Sequence, residues 1–182
     1  ELPAMYQGRY VGSSDARLSA QGRRDCRKLA GRFTLLNPEK IFVSPMRRAR
    51  ESVSEICPDR SDFIFDDRIR EVDFGDWENL TFDEIQKVAP PELLELWFRR
   101  PDRMQFPNGA SVADHYVAVD AFMQELLALP EHVIAVITHG GVLMRMISEA
   151  RKIPPERQFE VLPPRASMTI LNFKEGEFVY DE

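Results

Sequence analysis

The chain has 182 residues, 43% of them hydrophobic and 30% charged, a composition typical of one soluble globular domain. Its net charge of -6 argues against nucleic acid or an anionic membrane surface as the main partner. No apolar run approaches the roughly 18 residues that a membrane-spanning helix needs. Cys26 and Cys57 lack the spacing of a metal site or a disulfide framework. We therefore expect a cytoplasmic protein with no nucleic-acid partner and no membrane partner. The sequence leaves its oligomeric state open, a homodimer included.

Residues 1–17 are loop-like, and predicted helices then alternate with short apolar strands. Ser19 predicts the N-cap of the first helix, and Asn37-Pro38 predicts its end. Ser44-Pro45 predicts the start of a second helix, because serine supplies a cap oxygen and proline fits the first helical position. The predicted elements of this part are a helix to about residue 36, a strand over 41–43, a helix to about residue 56 and a strand over 63–65.

Capping patterns and prolines predict the elements of the second half. Residues 81–84 and 111–114 are capping-box patterns, each at the start of a helix. Strands that alternate with helices indicate a layered α/β fold with a mostly parallel sheet. The predicted elements are helices from 82 to Pro90, over 92–99 and from 112 to Pro130, a strand over 133–137, a helix from 140, and a closing hairpin of strands over 168–173 and 178–180.

An unbroken apolar run at 133–137 ends in Thr138, His139 and two glycines. Such a run, rich in Val and Ile, predicts a strand buried on both faces of a parallel sheet. The glycines allow a sharp turn and leave bare N–H groups at the start of the next helix, which is a ready anion site. His139 is therefore predicted at the carboxyl end of a strand, where open α/β sheets bind their ligands.

Two other side chains could converge on the same edge of the sheet. Arg48 lies in the first turn predicted after the strand over 41–43, and its guanidinium suits a phosphate. Glu71 lies in an irregular loop after the third strand, where a carboxyl group could act as acid or base. Taken singly, each has an ordinary alternative: a paired surface arginine, a structural histidine, a surface glutamate. Only their joint pattern favours a site.

Three segments that contain these residues resemble the successive signatures of the histidine phosphatase superfamily. They are residues 44–52 (SPMRRARES), 70–78 (REVDFGDWE) and 138–141 (THGG), and residues 8–19 resemble the family's substrate loop. The resemblance covers essentially the whole chain. It implies a single phosphoglycerate mutase-like domain over 1–182. That domain is a three-layer α/β sandwich with a mostly parallel central sheet and helices on both faces, and its first strand is missing from the chain.

The resemblance also implies a mechanism through a phosphohistidine intermediate. Arg48 and His139 would hold the phosphate, and Glu71 would be the general acid that protonates the leaving oxygen. The backbone N–H groups of Gly12 and Gly140 would contact the phosphate or the substrate. The substrate would be a small phosphorylated molecule, and neither a metal nor a cofactor is implied.

The chain departs from the family pattern in one respect. The family's nucleophilic histidine lies in an Arg-His-Gly triplet, and this sequence has none. His115 and His132 lack the expected context and are expected to be structural or surface residues. Because the family commonly has glutamate right after the triplet, we expect the sequence to begin, at Glu1, directly after this triplet. The alternative is a catalytically dead homologue that binds phosphate or a protein partner.

Compact length favours a phosphatase over a phosphoglycerate mutase, which remains the alternative enzyme. Residues 106–111 resemble the Pro-Gly-Gly-Glu-Ser loop of small bacterial phosphatases, among which alpha-ribazole phosphatase of cobalamin assembly is a close match. Asn108 and Ala110 replace the usual glycine and glutamate there, so a substrate contact could be lost. Trp97 and Phe98 fit either the core or an apolar wall for a base or a sugar.

Overall fold

The computed structural model describes residues 1–174 and 177–179, and a parallel three-stranded sheet lies at its centre. No helix in this part of the chain is both long and apolar enough to cross a bilayer. The strands are β1 (Lys40–Val43), β2 (Phe63–Phe65), β3 (Ile134–Ile137), β4 (Asn172–Lys174) and β5 (Glu177–Val179). The helices are α1 (Ala20–Leu36), α2 (Arg47–Ile56), α3 (Phe82–Val88), α4 (Pro91–Arg99), α5 (Val112–Leu127) and α6 (Gly140–Ala150).

The sheet has the order β2-β1-β3, and both strand pairs are parallel. Val43, the last residue of β1, lies opposite Ile137, the last residue of β3. The two strands therefore end at the same edge, and each is followed closely by a helix. This register brings the segments after residues 43 and 137 together, as the sequence pattern predicted.

Alternation along the strands sends side chains to two separate cores. Ile41 and Val43 pack on one face with residues of α1 and α2, such as Phe33 and Val53. Phe42 points to the other face, where its ring meets the Phe122 ring of α5 edge-on at 5.2 Å. The predicted α/β layers, with helices on both faces of a mostly parallel sheet, are confirmed.

The cap at Ser44 was predicted wrongly. α2 begins at Arg47, with Met46 as its N-cap, and not at Pro45. The Ser44 hydroxyl is fully buried and lies 3.4 Å from the Met46 N–H, where it accepts a long hydrogen bond. The other predicted caps are confirmed, since Ser19 accepts from Gly22 N–H and Thr81 forms a capping box with Glu84.

β3 is only partly buried, which corrects the prediction of a strand buried on both faces of the sheet. Among the described residues it pairs with β1 alone, so its other edge is open. A cavity of about 890 Å³ lies along this edge, lined by apolar side chains that include Leu18, Phe33, Ile137 and Met168. The cavity continues to His139 and Glu71, and so joins the open strand edge to the ends of the strands.

The pairing of the closing hairpin is confirmed, and its first strand is shorter than predicted. β4 and β5 are antiparallel, with Phe173 opposite Phe178. Residues 168–171, predicted as strand, are irregular, because among the described residues they have no strand partner beside them. Of the predicted connection over 174–177, Lys174 ends β4 and Glu177 begins β5. Residues 175–176, and the predicted strand end at Tyr180, fall outside the described residues.

An aromatic insert between β2 and β3 forms the third core. Trp77, Phe106 and Trp97 are buried in it with contacts from α4 and α5. Two loops of the insert meet backbone to backbone at Gly75, which has a φ of +55°. A Cβ on Gly75 would lie 2.1 Å from the carbonyl oxygen of Pro107. This turn fixes the loop that carries residues 71–78.

We therefore expect Gly75→Ala to lower the free energy of unfolding by about 2 kcal/mol or more, because it combines a left-handed backbone with overlap against a rigid carbonyl. Gly31→Ala is the matched control. Gly31 lies within α1 with nothing near its added Cβ, so alanine should raise stability by about 0.5–1 kcal/mol. Urea unfolding of the three proteins measures both changes. Equal effects of the two substitutions would contradict the role given to Gly75.

Candidate active site

Arg48 and His139 meet at the edge where β1 and β3 end. Arg48 is the second residue of α2, and His139 is the N-cap of α6. The Arg48 Nε–H donates to His139 Nδ1 at 3.1 Å. Both side chains are buried, with 9% and 6% of their surface exposed. The structure thus brings together the two residues that the sequence pattern paired.

The partners of the His139 ring define its tautomer. A guanidinium can only donate, so Nδ1 must be the unprotonated acceptor and Nε2 carries the proton. Nε2 lies 2.7 Å from the Ser44 hydroxyl, to which it donates. Burial, helped by the Arg48 charge, lowers the pKa of His139 well below its usual 6.5. His139 is therefore a neutral hydrogen-bond donor at neutral pH.

The rest of the Arg48 guanidinium holds the loop ahead of α1. Its Nη1 donates to the carbonyl of Ser14 at 3.1 Å, and its Nη2 donates to those of Gly12 at 2.8 Å and Val11 at 3.3 Å. These are the residues that resemble the family's substrate loop. One arginine therefore joins this loop to His139.

Glu71 is the third member of the site and fills the anion position at the start of α6. Its Oε2 accepts the N–H of Gly141 at 3.1 Å, and its Oε1 accepts the N–H of Val72 at the same distance. The Thr138 hydroxyl donates to the carbonyl of Ile69 at 2.8 Å, which ties the segment before Glu71 to the end of β3. The anion site predicted from the glycines is therefore occupied by a carboxyl group of the chain itself.

Burial raises the pKa of Glu71 above its usual 4.5. The Gly141 N–H and the Arg48 charge act in the opposite direction, and the nearby Glu78 carboxylate adds to the increase. A carboxyl group with a raised pKa keeps its proton to higher pH, which suits a general acid.

Gly12 and Gly140 were both predicted to offer a backbone N–H to the phosphate or the substrate, and the structure treats the two N–H groups differently. The N–H of Gly12 donates to Glu78 Oε1 at 3.0 Å, so in this structure it is already engaged. Gly140 begins α6, where helical N–H groups lack partners within the helix. A Cβ on Gly140 would lie 3.2 Å from Leu162, which marks the wall beside the site.

Glu78 and Ser44 were not predicted to belong to the site, and both contact it. Glu78 binds the substrate-loop backbone, and Ser44 accepts from His139. Ser44 was interpreted as a helix cap because its local pattern fits one. Glu78 lies in the same irregular loop as Glu71, and no periodicity distinguishes it there.

Aromatic rings form a wall of the cavity next to Glu71. The Tyr10 and Phe74 rings meet edge-on at 5.1 Å, and those of Trp97 and Phe159 do so at 5.0 Å. Trp97 is buried in the third core, while Phe98 is 44% exposed. Both side chains line the cavity. The two interpretations, a place in the core and a place in an apolar wall, therefore do not exclude each other.

His115, which was expected to be a structural or surface residue, also lines this cavity. Its Nε2 is buried and has no hydrogen-bond partner among the described residues. Burial lowers the pKa of His115 to about 4. The ring is therefore neutral near pH 7. In the part of the chain that the structure describes, no group of three or more His, Cys, Asp or Glu side chains is arranged to hold a metal ion.

Comparison with known proteins identifies one family over the whole chain. The family profile "Histidine phosphatase superfamily (branch 1)" matches residues 1–182. The chain is 29% identical over 139 residues to "Phosphoserine phosphatase 1" of Hydrogenobacter thermophilus. The matched region covers 76% of this chain and 65% of that protein. It is 30% identical over 155 residues to "Probable phosphoglycerate mutase GpmB" of Proteus mirabilis, covering 80% and 68% of the two chains.

A solved structure shares the fold at lower sequence identity. The alpha-ribazole phosphatase from Shigella flexneri superposes with a TM-score of 0.85 at 20% identity, covering 100% of this chain and 90% of that one. This likeness bears on the fold alone.

The low pKa of His115 predicts a pH-dependent stability. Below pH 6.5 the unfolded chain binds a proton at this residue that the folded chain does not bind, so stability falls as the pH falls toward about 4. Between pH 7.5 and 5.0 the loss due to His115 should be about 2 kcal/mol. We expect His115→Phe to remove this part of the loss in urea unfolding.

The buried His139 contributes with the same sign, and the acidic residues contribute in every variant, so the comparison must be made between variants. His132→Phe is the control, because His132 is exposed. The assignment would be wrong if both variants lost as much stability between the two pH values as the parent chain does.

Proposed function

The chain belongs to the histidine phosphatase superfamily (branch 1), and on that basis we propose that it is a phosphomonoesterase that acts through a phosphohistidine intermediate on a small phosphorylated metabolite. One observation carries the proposal: Arg48, His139 and Glu71 converge at the edge where β1 and β3 end. A fixed cation, a neutral donor and a buried acid are the groups that phosphoryl transfer requires around its transition state.

Each of the three residues has a defined role in this proposal. Arg48 and the Nε2–H of His139 bind the phosphoryl oxygens, for which His139 exchanges its bond to Ser44 for one to the phosphate. As the nucleophilic histidine predicted ahead of Glu1 forms a P–N bond and the ester P–O bond breaks, the leaving oxygen takes the proton of Glu71. Water then attacks the phosphohistidine, gives a proton back to Glu71 and releases inorganic phosphate. The raised pKa of Glu71 supports its part in both steps.

The nucleophile remains a prediction from the family resemblance, in an Arg-His-Gly segment ahead of Glu1. The open edge of β3 supports it, since a strand paired there would run alongside residues 134–137 and end near His139. The apolar walls of the adjoining cavity suit such a buried strand. If the encoded sequence contains no such segment, the alternative is a catalytically dead homologue that binds phosphate or a protein partner.

The substrate is proposed at two levels. A small phosphomonoester is the broader proposal, and alpha-ribazole 5'-phosphate, from cobalamin biosynthesis, is the narrower one. The aromatic wall of Tyr10, Phe74 and Trp97 supports a leaving group with a flat apolar face. Asn108 binds the Asp76 carboxylate at 3.0 Å instead of lining the cavity, which supports the loss of a substrate contact from the 106–111 loop.

A panel of phosphomonoesters tests the function with protein expressed from the complete reading frame. Phosphate release should follow with one or more esters, and a phosphohistidine should be trapped by rapid quenching. Interconversion of 2- and 3-phosphoglycerate without net phosphate release would favour the mutase alternative. Phosphate binding without turnover of any ester would leave the dead homologue.

Glu71→Gln should slow hydrolysis of an alkyl phosphate much more than that of an aryl phosphate, because only the poor leaving group needs a proton from the enzyme. The ratio of kcat/KM for the two esters measures the effect. Glu92→Gln, at an exposed position of α4, is the matched control and should leave the ratio unchanged. Equal losses on the two esters would remove Glu71 from the role of proton donor.

His139→Ala should lower kcat/KM by about a hundredfold or more, the usual scale for loss of one preorganised donor. His132→Ala is the control, since His132 lies exposed ahead of β3. Urea unfolding of both variants separates loss of the donor from loss of folded protein. An unchanged rate in a folded His139→Ala variant would contradict its role in binding the phosphoryl group.

A further inference from the structure

The carboxylate of Glu78 receives hydrogen bonds from four groups on two loops. Its Oε1 accepts the backbone N–H of Gly12 at 3.0 Å, that of Ser13 at 2.8 Å and that of Phe74 at 3.1 Å. Its Oε2 accepts the Ser14 hydroxyl at 2.7 Å. Consecutive N–H groups that converge in this way form an anion-binding concavity, and Glu78 is the anion that fills it.

The same loop is held from its opposite side by Arg48. The N–H groups of Gly12 and Ser13 point to Glu78, while the carbonyls of Gly12 and Ser14 point to the Arg48 guanidinium. Arg48 in turn donates to His139 Nδ1. A continuous series of hydrogen bonds therefore runs from Glu78 through residues 12–14 and Arg48 to the imidazole of His139.

We propose that Glu78 is a positioning residue of the phosphate site: its carboxylate fixes residues 12–14, which hold Arg48 and His139 in the arrangement that binds a phosphoryl group. The inference rests on the proposed function for its catalytic consequence, but the arrangement itself can be tested without turnover. Glu78 touches neither His139 nor Glu71 by a hydrogen bond, so it acts through the loop and through its charge.

Both carboxyl oxygens of Glu78 accept hydrogen bonds from the loop: Oε1 from three backbone N–H groups and Oε2 from the Ser14 hydroxyl. Glu78 has no ion-pair partner among the described residues, so its hydrogen bonds to the two loops are what stabilises its carboxyl group there. A glutamine can keep its carbonyl oxygen at the three N–H groups on Oε1, but its N–H₂ at the place of Oε2 cannot accept from the Ser14 hydroxyl or from Gly12, and the negative charge is lost. The loop cannot shift to compensate, because a Cβ on Gly12 would lie 1.9 Å from the Val72 carbonyl and there is no slack on that side.

The Glu78 charge also acts on the proposed proton donor. Glu71 faces Arg48 from α2, the N-terminus of α6 and Glu78 from its own loop, and the Glu78 carboxylate raises the pKa of Glu71. Removing that charge should therefore lower the pKa of Glu71. Because a general acid is active only while protonated, activity should then decline at a lower pH than in the parent enzyme.

The experiment is Glu78→Gln, with the exposed Glu92→Gln as the same substitution at a neutral site. We expect KM for an alkyl phosphate and Ki for inorganic phosphate to rise about tenfold, with a smaller change in kcat, because binding geometry is lost more than chemistry. The alkaline limb of the kcat/KM profile should move to lower pH. The Glu92→Gln enzyme should match the parent in every measurement.

Nuclear magnetic resonance tests the arrangement independently of turnover. The ring nitrogens of His139 in the parent chain should show the Nε2–H tautomer, and titration with inorganic phosphate should perturb them. In Glu78→Gln we expect the Nδ1 resonance to shift, as its bond from Arg48 weakens, and phosphate to perturb the ring only at about tenfold higher concentration. Ser14→Ala, which removes one donor and no charge, should give smaller changes of the same sign and keeps the test available if Glu78→Gln does not fold.

The outcomes separate two failures. If no phosphomonoester is hydrolysed by the parent protein, the proposed function fails, and the resonance shifts and phosphate titration still decide the role of Glu78. If Glu78→Gln lowers stability but leaves the KM, the pH profile, the phosphate titration and the His139 resonances unchanged, Glu78 is only a link between two loops and the inference is overturned.

Discussion

The hydrogen bond from Arg48 Nε to His139 Nδ1 is the constraint on which the site depends. Together with the bond from His139 Nε2 to the Ser44 hydroxyl, it joins the residues after β1 to His139, the second residue after β3. Because arginine only donates, the bond also fixes the protonation of His139 and leaves its Nε2–H to donate to the Ser44 hydroxyl. The other guanidinium nitrogens donate to the carbonyls of Ser14 and Gly12, in the loop that resembles the family's substrate loop. One side chain therefore holds three chain segments together.

Parallel register explains why this pair could be predicted from sequence. Val43 and Ile137 are opposite each other, so the residues after them meet at one edge whatever the helices do. The strands, helices and their faces follow from local periodicity, which a single sequence displays. The Ser19 and Thr81 caps are also local and were predicted correctly. The fold and the pairing of Arg48 with His139 were therefore available before any coordinates.

The remaining features depend on contacts that no local pattern displays. Ser44 has the pattern of a helix cap, but its hydroxyl accepts from His139, and the helix begins at Arg47. Glu78 reaches a loop 66 residues earlier in the chain. The burial of β3 was overestimated. A run of apolar residues indicates that a strand can be buried, but it does not show whether other strands pair with both of its edges. In each case the deciding partner lies far away in sequence.

Glu71 shows how opposing local effects set the chemistry of the site. The start of α6 favours its ionised form, since Gly141 donates to its carboxylate and the helix dipole points the same way. Arg48 acts likewise, yet the pKa of Glu71 is raised, so burial together with the Glu78 charge outweighs both. Gly141 makes this balance feasible, because a Cβ there would lie 2.3 Å from Glu71 Oε1. A larger residue would force the carboxyl group away from the helix, toward water and toward an ordinary pKa. The second glycine of the pair thus keeps Glu71 close to the start of α6, the position that its proposed role as proton donor requires.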